Sequence, residues 1–336
     1  MIKIIPNASL ALGIIFYKER KDMAGNKIRS MHILKKETFV AYLFVAPALI
    51  LFLLFVGYPL VASFYLMFCD YNLITSPQFV GLKNILKCLG DKEVPLVMMS
   101  SLKLLLVLVP AHVILGLALA CLVHRTGKKM STAYRIILYI PTIMTTVSVA
   151  TAWSYLYDTD FGVINYFLQI FGMQGLLNQM LQALGVDSTI SWVANPNTAV
   201  WTLIILRVWQ FGSPMIIFLA AIKQIPSELV EAAAIDGANR RQKFRYVTLP
   251  MLTPTIFMVV VLSMISYIQC FDEPYVLTQG GPGISTTTVS LYIYRNFQAQ
   301  NISYASILSV FLFVIIMIVT IIQFKISDKW VNYDTE

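Results

Sequence analysis

The sequence predicts an all-α membrane protein that crosses the bilayer six times and keeps both termini in the cytoplasm. Composition, the length of its uncharged stretches and the placement of its cations predict this. Of 336 residues, 58% are hydrophobic and only 12% are charged, about half the charged share of a soluble domain. The apolar residues gather in stretches long enough to cross about 30 Å of hydrocarbon, which takes roughly 20 residues of helix. The lysines and arginines flank alternate stretches, as the positive-inside rule requires. Such a chain is not disordered, not a disulfide scaffold and not an ordinary cytosolic enzyme. The net charge of +8 is therefore a topology signal, and no nucleic acid partner is expected.

The N-terminal segment 1–37 is expected to be cytoplasmic. Within it, 4–17 is apolar but too short to span and lacks a convincing cleavage site. A helix lying on the membrane surface and a natural start at Met23 both fit. The first span is expected in 38–69, and the next two in 104–124 and 136–157. The fourth, 198–222, carries one charge, Arg207, and the fifth and sixth fall in 246–271 and 296–324. The membrane domain thus covers 38–330. The uncharged stretch 161–186 is rejected as a span. It is broken by Gly162, Gly172, Gly175 and Gly185, and it carries Asn165, Gln169, Gln174, Asn178, Gln179 and Gln182. Short helices on the membrane surface suit that mixture better than a rod facing lipid.

With these spans, 19 lysines and arginines lie in alternate segments that include both termini, against 4 in the segments between them. The loop 158–197 contains none and is assigned outside; the loop 223–250 contains five and is assigned to the cytoplasm. Asp70, Asp91, Glu93, Asp158, Asp160, Asp187, Asp272 and Glu273 are expected in external loops.

No aspartate or glutamate is expected inside a span, which argues against proton coupling, since carriers of that kind need an intramembrane relay. Neither a nucleophile–base set nor a ligand cluster is legible, so no catalytic and no metal-binding residues are assigned. His112, alone in its span, is expected to be a packed or pore-side polar residue. Cys69 and Cys88 are expected to remain unpaired thiols. Arg207 costs about 2.5–3.5 kcal/mol in a span and calls for compensation. Snorkelling or a helix–helix hydrogen bond would supply it; a place on a substrate pathway with Trp209 and Gln210 is the sharper alternative, because indoles stack on sugar faces while amides and guanidinium groups bond hydroxyls.

The loop 225–250 carries most of the identity. Pro226 and Ser227 open a helix and Glu228 suits its positive end. Leu229, Ala232 and Ala233 form a narrow apolar stripe. Gly237 permits a sharp break, a second helix follows with Phe244 and Val247 on one side, and Pro250 is expected to stop it at the membrane. Small side chains around a break, with charges exposed, make a shape that docks in a partner's groove.

At these residues the chain resembles the permease subunits of binding-protein-dependent ABC importers. Their hallmark is matched by Glu231-Ala232-Ala233, Asp236-Gly237-Ala238, Phe244 and Leu249-Pro250, with Val247 where isoleucine is frequent. The resemblance narrows to carbohydrate permeases of the maltose or glycerol-phosphate type. Leu43-Phe44-Val45-Ala46-Pro47-Ala48-Leu49 with Tyr58-Pro59 is similar to the first permease of such pairs. Phe79-Val80-Gly81-Leu82-Lys83-Asn84 follows the family pattern, as does Leu277-Thr278-Gln279-Gly280-Gly281-Pro282 with Ser285-Thr286-Thr287. The resemblance covers 38–330.

It implies a type I importer fold in a bacterial or archaeal cytoplasmic membrane. It also implies a second homologous permease, two ATP-binding subunits that hold ATP and Mg, an extracytoplasmic solute-binding protein, and a sugar or oligosaccharide as cargo. The chain has no phosphate loop of the GxxxxGK[ST] form, so it is not expected to be an enzyme or to hold a cofactor itself. The 223–250 loop would couple to the ATPase, and Thr278, Gly280, Gly281 and Pro282 would face the binding protein, line the pore mouth or only make a turn. A permease for a non-sugar solute and an ion-coupled secondary transporter are the alternatives.

Overall fold

A computed structural model describes Val40, residues 42–173 and 191–331, and Gly175, Leu176, Gln179 and Gln182 between them. The expectations for 4–17 and Met23 lie outside the described residues, as does much of 174–190. Four apolar helices are long enough to cross a membrane: α1 (Tyr42–Leu66), α3 (Glu93–Arg125), the pair α7 (Pro196–Trp209) and α8 (Gly212–Gln224) taken as one, and α13 (Ile302–Ser327). Counting each of two bent pairs as one span brings the number to six: α4 (Lys128–Ile143) with α5 (Thr146–Leu156), and α10 (Arg240–Met251) with α11 (Thr253–Ile268). Shorter helices are α2 (Lys83–Leu89), α6 (Val163–Ile170), α9 (Ser227–Ile235) and α12 (Val289–Gln298).

The chain divides into a unit ending at Ala62 and one beginning at Ser63. In the first, α1 widens by one residue per turn at Leu53–Gly57. After α1, β1 (Cys69–Asp70) and β2 (Gln78–Phe79) pair antiparallel. Gly81 then turns at φ +62°, and the Asn84 amide donates to the Cys69 carbonyl at 2.8 Å, which accounts for the Gly-Leu-Lys-Asn pattern. Cys69 and Cys88 are buried free thiols.

Helix α3 is the axis of the second unit. Its 33 residues extend about 50 Å at 1.5 Å per residue, more than the bilayer requires. Glu93 at its start and Arg125 at its end both suit the helix dipole. Leu104, Leu108, His112, Gly116, Ala120 and Val123 form its buried face at helical spacing. A Cβ on Gly116 would lie 2.7 Å from that of Pro214, so the missing side chain lets α8 cross α3 in direct contact. Two apolar clusters flank this point. One joins Leu104 and Leu108 to Val149, Leu203, Leu206 and Leu277. The other joins Ala120 and Val123 to Met215, Phe218, Leu252 and Val259.

Three expectations change. The 136–157 stretch is not a straight rod but two helices at 93°. Pro141 lacks the N–H that would continue the ladder, Met144 is extended, and the Thr145 hydroxyl caps α5 by accepting from the Ser148 N–H. Pro250 does not stop its helix. Proline is tolerated in the first turn of a helical segment, so α10 continues to Met251, and the 62° bend falls at Leu252, just ahead of Pro254. The stretch 296–324 holds parts of two helices, because Gln300 turns the chain at φ +60° between α12 and α13.

At the end of the bundle away from Arg125, Tyr292 and Tyr304 both donate their hydroxyls to Asp91 Oδ2. This clamp ties α12 and α13 to the loop before α3.

Candidate functional site

Midway along α3, between the two apolar clusters, lies a cavity of about 260 Å³. His112, Thr142, Thr146, Ser213, Ser263 and Ser266 contribute to its wall, with Arg207, Gln210 and Tyr267. The bend in α4–α5 places Thr142 and Thr146 there, and the break between α7 and α8 places Gln210. The Gln210 side-chain amide donates to the Pro141 carbonyl at 3.4 Å, and the Gln210 backbone carbonyl accepts from the Thr142 hydroxyl at 3.4 Å. Two helix breaks are thereby fastened to each other.

Arg207 is compensated by a partner not foreseen in the sequence. Its Nε lies 2.6 Å from Oε1 of Glu273, whose side chain is completely buried. Glu273 was expected in an external loop with Asp272. Instead it lies inside, five residues beyond Ile268 at the end of α11, paired with the arginine, while Asp272 stays exposed. Cys270 donates its thiol to Glu273 Oε2 at 3.2 Å. The guanidinium lies over the Tyr267 ring at 5.5 Å, and Tyr267 stacks on His112 at 5.3 Å with its hydroxyl 3.3 Å from Nε2. His112 is thus packed and lines the cavity. Trp209 does not join this wall; it packs against Trp153 at 5.8 Å. The cavity therefore offers hydroxyls, an amide, an aromatic ring and one paired guanidinium, a set suited to a hydroxylated solute.

The 277–287 loop is held from within. Gly280 is buried at φ +77°, and a Cβ there would meet the Thr287 hydroxyl at 2.6 Å and the Arg295 guanidinium at 2.8 Å. Thr286 and Thr287 donate to the carbonyls of Gly281 and Gly280 at 2.8 Å each, and the Thr278 hydroxyl meets that of Thr286 at 2.7 Å. Arg295 donates to the Gln279 carbonyl. Ser100 and Ser101 of α3 bind Ile284 and Val289. Turn geometry accounts for Gly280; Gly281 and Pro282 are half-buried.

At the basic end, α9 leaves Leu229, Glu231, Ala232 and Ile235 exposed and Ala233 half-buried. It ends in a Schellman motif: the Ala238 N–H donates to Ala233 and the Gly237 N–H to Ala234, with Gly237 at φ +79°. Asn239 and Gln242 then form a reciprocal capping box that starts α10. The signal for that box in the sequence is Asn-x-x-Gln. Phe244 and Val247 share the half-buried side of α10, in a wider turn spanning Phe244–Thr248. Leu249 and Pro250 are half-buried behind them, and Asp236 is exposed at the tip. No atom lies within 4 Å of a Cβ built on Gly237, so the elbow is open to a partner.

A family model described as a binding-protein-dependent transport system inner membrane component matches residues 112–333. The probable ABC transporter permease protein YesP of Bacillus subtilis (strain 168) is 38% identical over 94% of this chain and 99% of its own. The trehalose/maltose transport system permease protein MalF of Thermococcus litoralis is 30% identical, over 87% of this chain and 95% of its own. A crystal structure of a bacterial ABC transporter involved in import of the acidic polysaccharide alginate includes a chain that superposes with a TM-score of 0.71 at 23% identity. That match covers 88% of this chain and 98% of the other.

Proposed function

Because the chain belongs to the family of binding-protein-dependent transport system inner membrane components, we propose that it is the transmembrane permease subunit of an ATP-driven importer for a sugar or oligosaccharide. The elbow at α9 and α10 carries this proposal. It presents Glu231, Ala232 and Asp236 to solvent around an open Gly237, on the side that the distribution of cations assigns to the cytoplasm. In this proposal two ATPase subunits, holding ATP and Mg, seat the elbow, and a second permease completes the pathway. An extracytoplasmic solute-binding protein delivers the cargo on the opposite side.

Closure of the ATPase pair moves α9. The Schellman turn and capping box pass that movement to α10, and the bend at Leu252 passes it to α11. Tyr267 near the end of α11 and Glu273 just beyond it touch the cavity wall through His112 and Arg207. The same rigid connections thus link the docking elbow to the pathway, as alternation between two packed states requires. The hydroxyl-rich wall and the sugar relatives, among them a trehalose/maltose permease, support a saccharide cargo.

The test is substitution at the elbow. Glu231→Lys and Gly237→Val should reduce co-purification of the ATPase subunits and abolish uptake, while abundance and membrane insertion of the chain hold. A side chain at Gly237 meets nothing within the chain, but φ +79° strains it, so Gly237→Val also perturbs the turn. Glu231→Lys, at an exposed helical position, is the variant that separates docking from folding. Uptake at wild-type rate with both substitutions refutes the assignment, and uptake driven by an ion gradient without ATPase subunits establishes a secondary carrier instead.

A further inference from the structure

The basic end of the bundle holds a charge arrangement that docking through α9 leaves unused. Arg125 closes α3, and with Arg240, Arg241 and Arg245 of α10 it lines a cleft of about 610 Å³ over Phe244 and Leu249. An adjoining cavity of about 450 Å³ shares Arg125, Arg240 and Phe244 and adds Lys223 and Lys243 above Ile222 and Val230. No aspartate or glutamate lines either space. Among the described residues the one ion pair is that of Arg207 with Glu273, and no described carboxylate pairs with any of these six cations.

Cations gathered around a shared concavity repel, and an anion that bridges them relieves the repulsion. Guanidinium forks match the oxygens of a phosphate. Phe244 and Leu249 are apolar, and the cleft lies where α3 ends beside α10; in the six-span topology that is the cytoplasmic edge of the membrane. A ligand that satisfies both parts carries a phosphate and an acyl chain. We propose that this cleft binds the phosphate headgroup of an anionic phospholipid of the cytoplasmic leaflet, with its chains along the apolar floor. Neither lining includes Glu231, Ala232, Asp236 or Gly237, while Phe244 and Leu249 of the coupling loop do line the cleft, so the lipid would sit beside the docking elbow and share its inner edge. The inference rests on the membrane topology and stands apart from the cargo and its energy source.

Native mass spectrometry of the intact protein, with the subunits that accompany it, in nanodiscs of phosphatidylcholine and phosphatidylglycerol tests it. Phosphatidylglycerol should be retained in preference to phosphatidylcholine, and retention should fall as salt rises. Arg125→Gln and Arg245→Gln should each weaken retention about fivefold. Lys83→Gln, an exposed position at the other end of the bundle, should leave it unchanged. If an arginine variant fails to accumulate, lipid preference and salt dependence in the unaltered protein decide. Equal retention of the two lipids, or retention indifferent to salt or to the arginines, overturns the proposal. Displacement by inorganic phosphate alone reassigns the cleft to a free anion, and displacement by added ATPase subunits reassigns it to a protein partner; either outcome also overturns it.

Discussion

The pair formed by Arg207 and Glu273 should behave as one energetic unit, and a double-mutant cycle measures this. Arg207→Met leaves a carboxylate with no solvent exposure and no cation. Breaking a buried pair from one side costs about 3–5 kcal/mol, and complete burial places this variant in the upper half of that range. Glu273→Leu should cost less, about 2–3 kcal/mol. The remaining arginine side chain is 20% exposed and keeps the Tyr267 ring at 5.5 Å, a contact worth about 0.5–2 kcal/mol. With both residues replaced no charge is left buried, and the loss should shrink to about 1–2 kcal/mol, because apolar substitutes for a buried pair are often neutral. The coupling energy is then at least about 4 kcal/mol, well above the ~0.5 kcal/mol scatter of independent sites. Reversible unfolding of the full chain in mixed micelles, followed by tryptophan fluorescence, gives all four stabilities. Single losses that add to the double within ~0.5 kcal/mol would show that the two charges do not depend on each other and would refute this account of how the membrane tolerates Arg207.

Two further outcomes are expected. Gly280→Ala should lower the unfolding midpoint, because the new methyl group meets Thr287 and Arg295 at 2.6 and 2.8 Å and φ is +77°; the strained backbone alone costs about 1–2 kcal/mol, and an unchanged midpoint in thermal unfolding contradicts the packing described. At Asp91, burial raises the carboxyl pKa, but hydrogen bonds from Tyr304, the Glu93 N–H and Tyr292, with the charge of Lys87, outweigh it, so the value falls below the ordinary 3.8. A depressed carboxylate contributes stability that is present above its unfolded value and is lost as pH falls through the folded one. Acid titration of stability should therefore decline below about pH 4, and Asp91→Asn should flatten that decline.

The two ends of this protein differ in how far local chemistry reveals them. Gly237, the helix before it and the aromatic after it were legible because a cap, a break and a stripe are each written within a few consecutive residues. The apolar stretches and the asymmetry of the cations were legible for a related reason: water and hydrocarbon impose them on each segment independently of its neighbours. The right-angle bend at Met144 and the bend at Leu252 were hidden inside uncharged runs. A hydropathy pattern records only that a segment avoids water, whereas these breaks depend on proline placement and on what packs alongside.

The wall of the cavity was the least legible part. Arg207 signalled that a partner was needed, and Asp272 and Glu273 stood at the mouth of the following span, but nothing in the order of residues distinguished the exposed one from the buried one. Similarly, His112 needed Tyr267, and the threonines at 286 and 287 needed the carbonyls of Gly281 and Gly280, before packing could be separated from contact with a partner. The sequence alone therefore determined that this chain is a membrane protein, where its apolar stretches lie and where the elbow at Gly237 falls, because those properties are set by solvent and by neighbours a few residues away. Only the tertiary structure decided which polar groups meet inside, since burying a charge becomes tolerable only when a distant segment brings the opposite one to within a hydrogen bond.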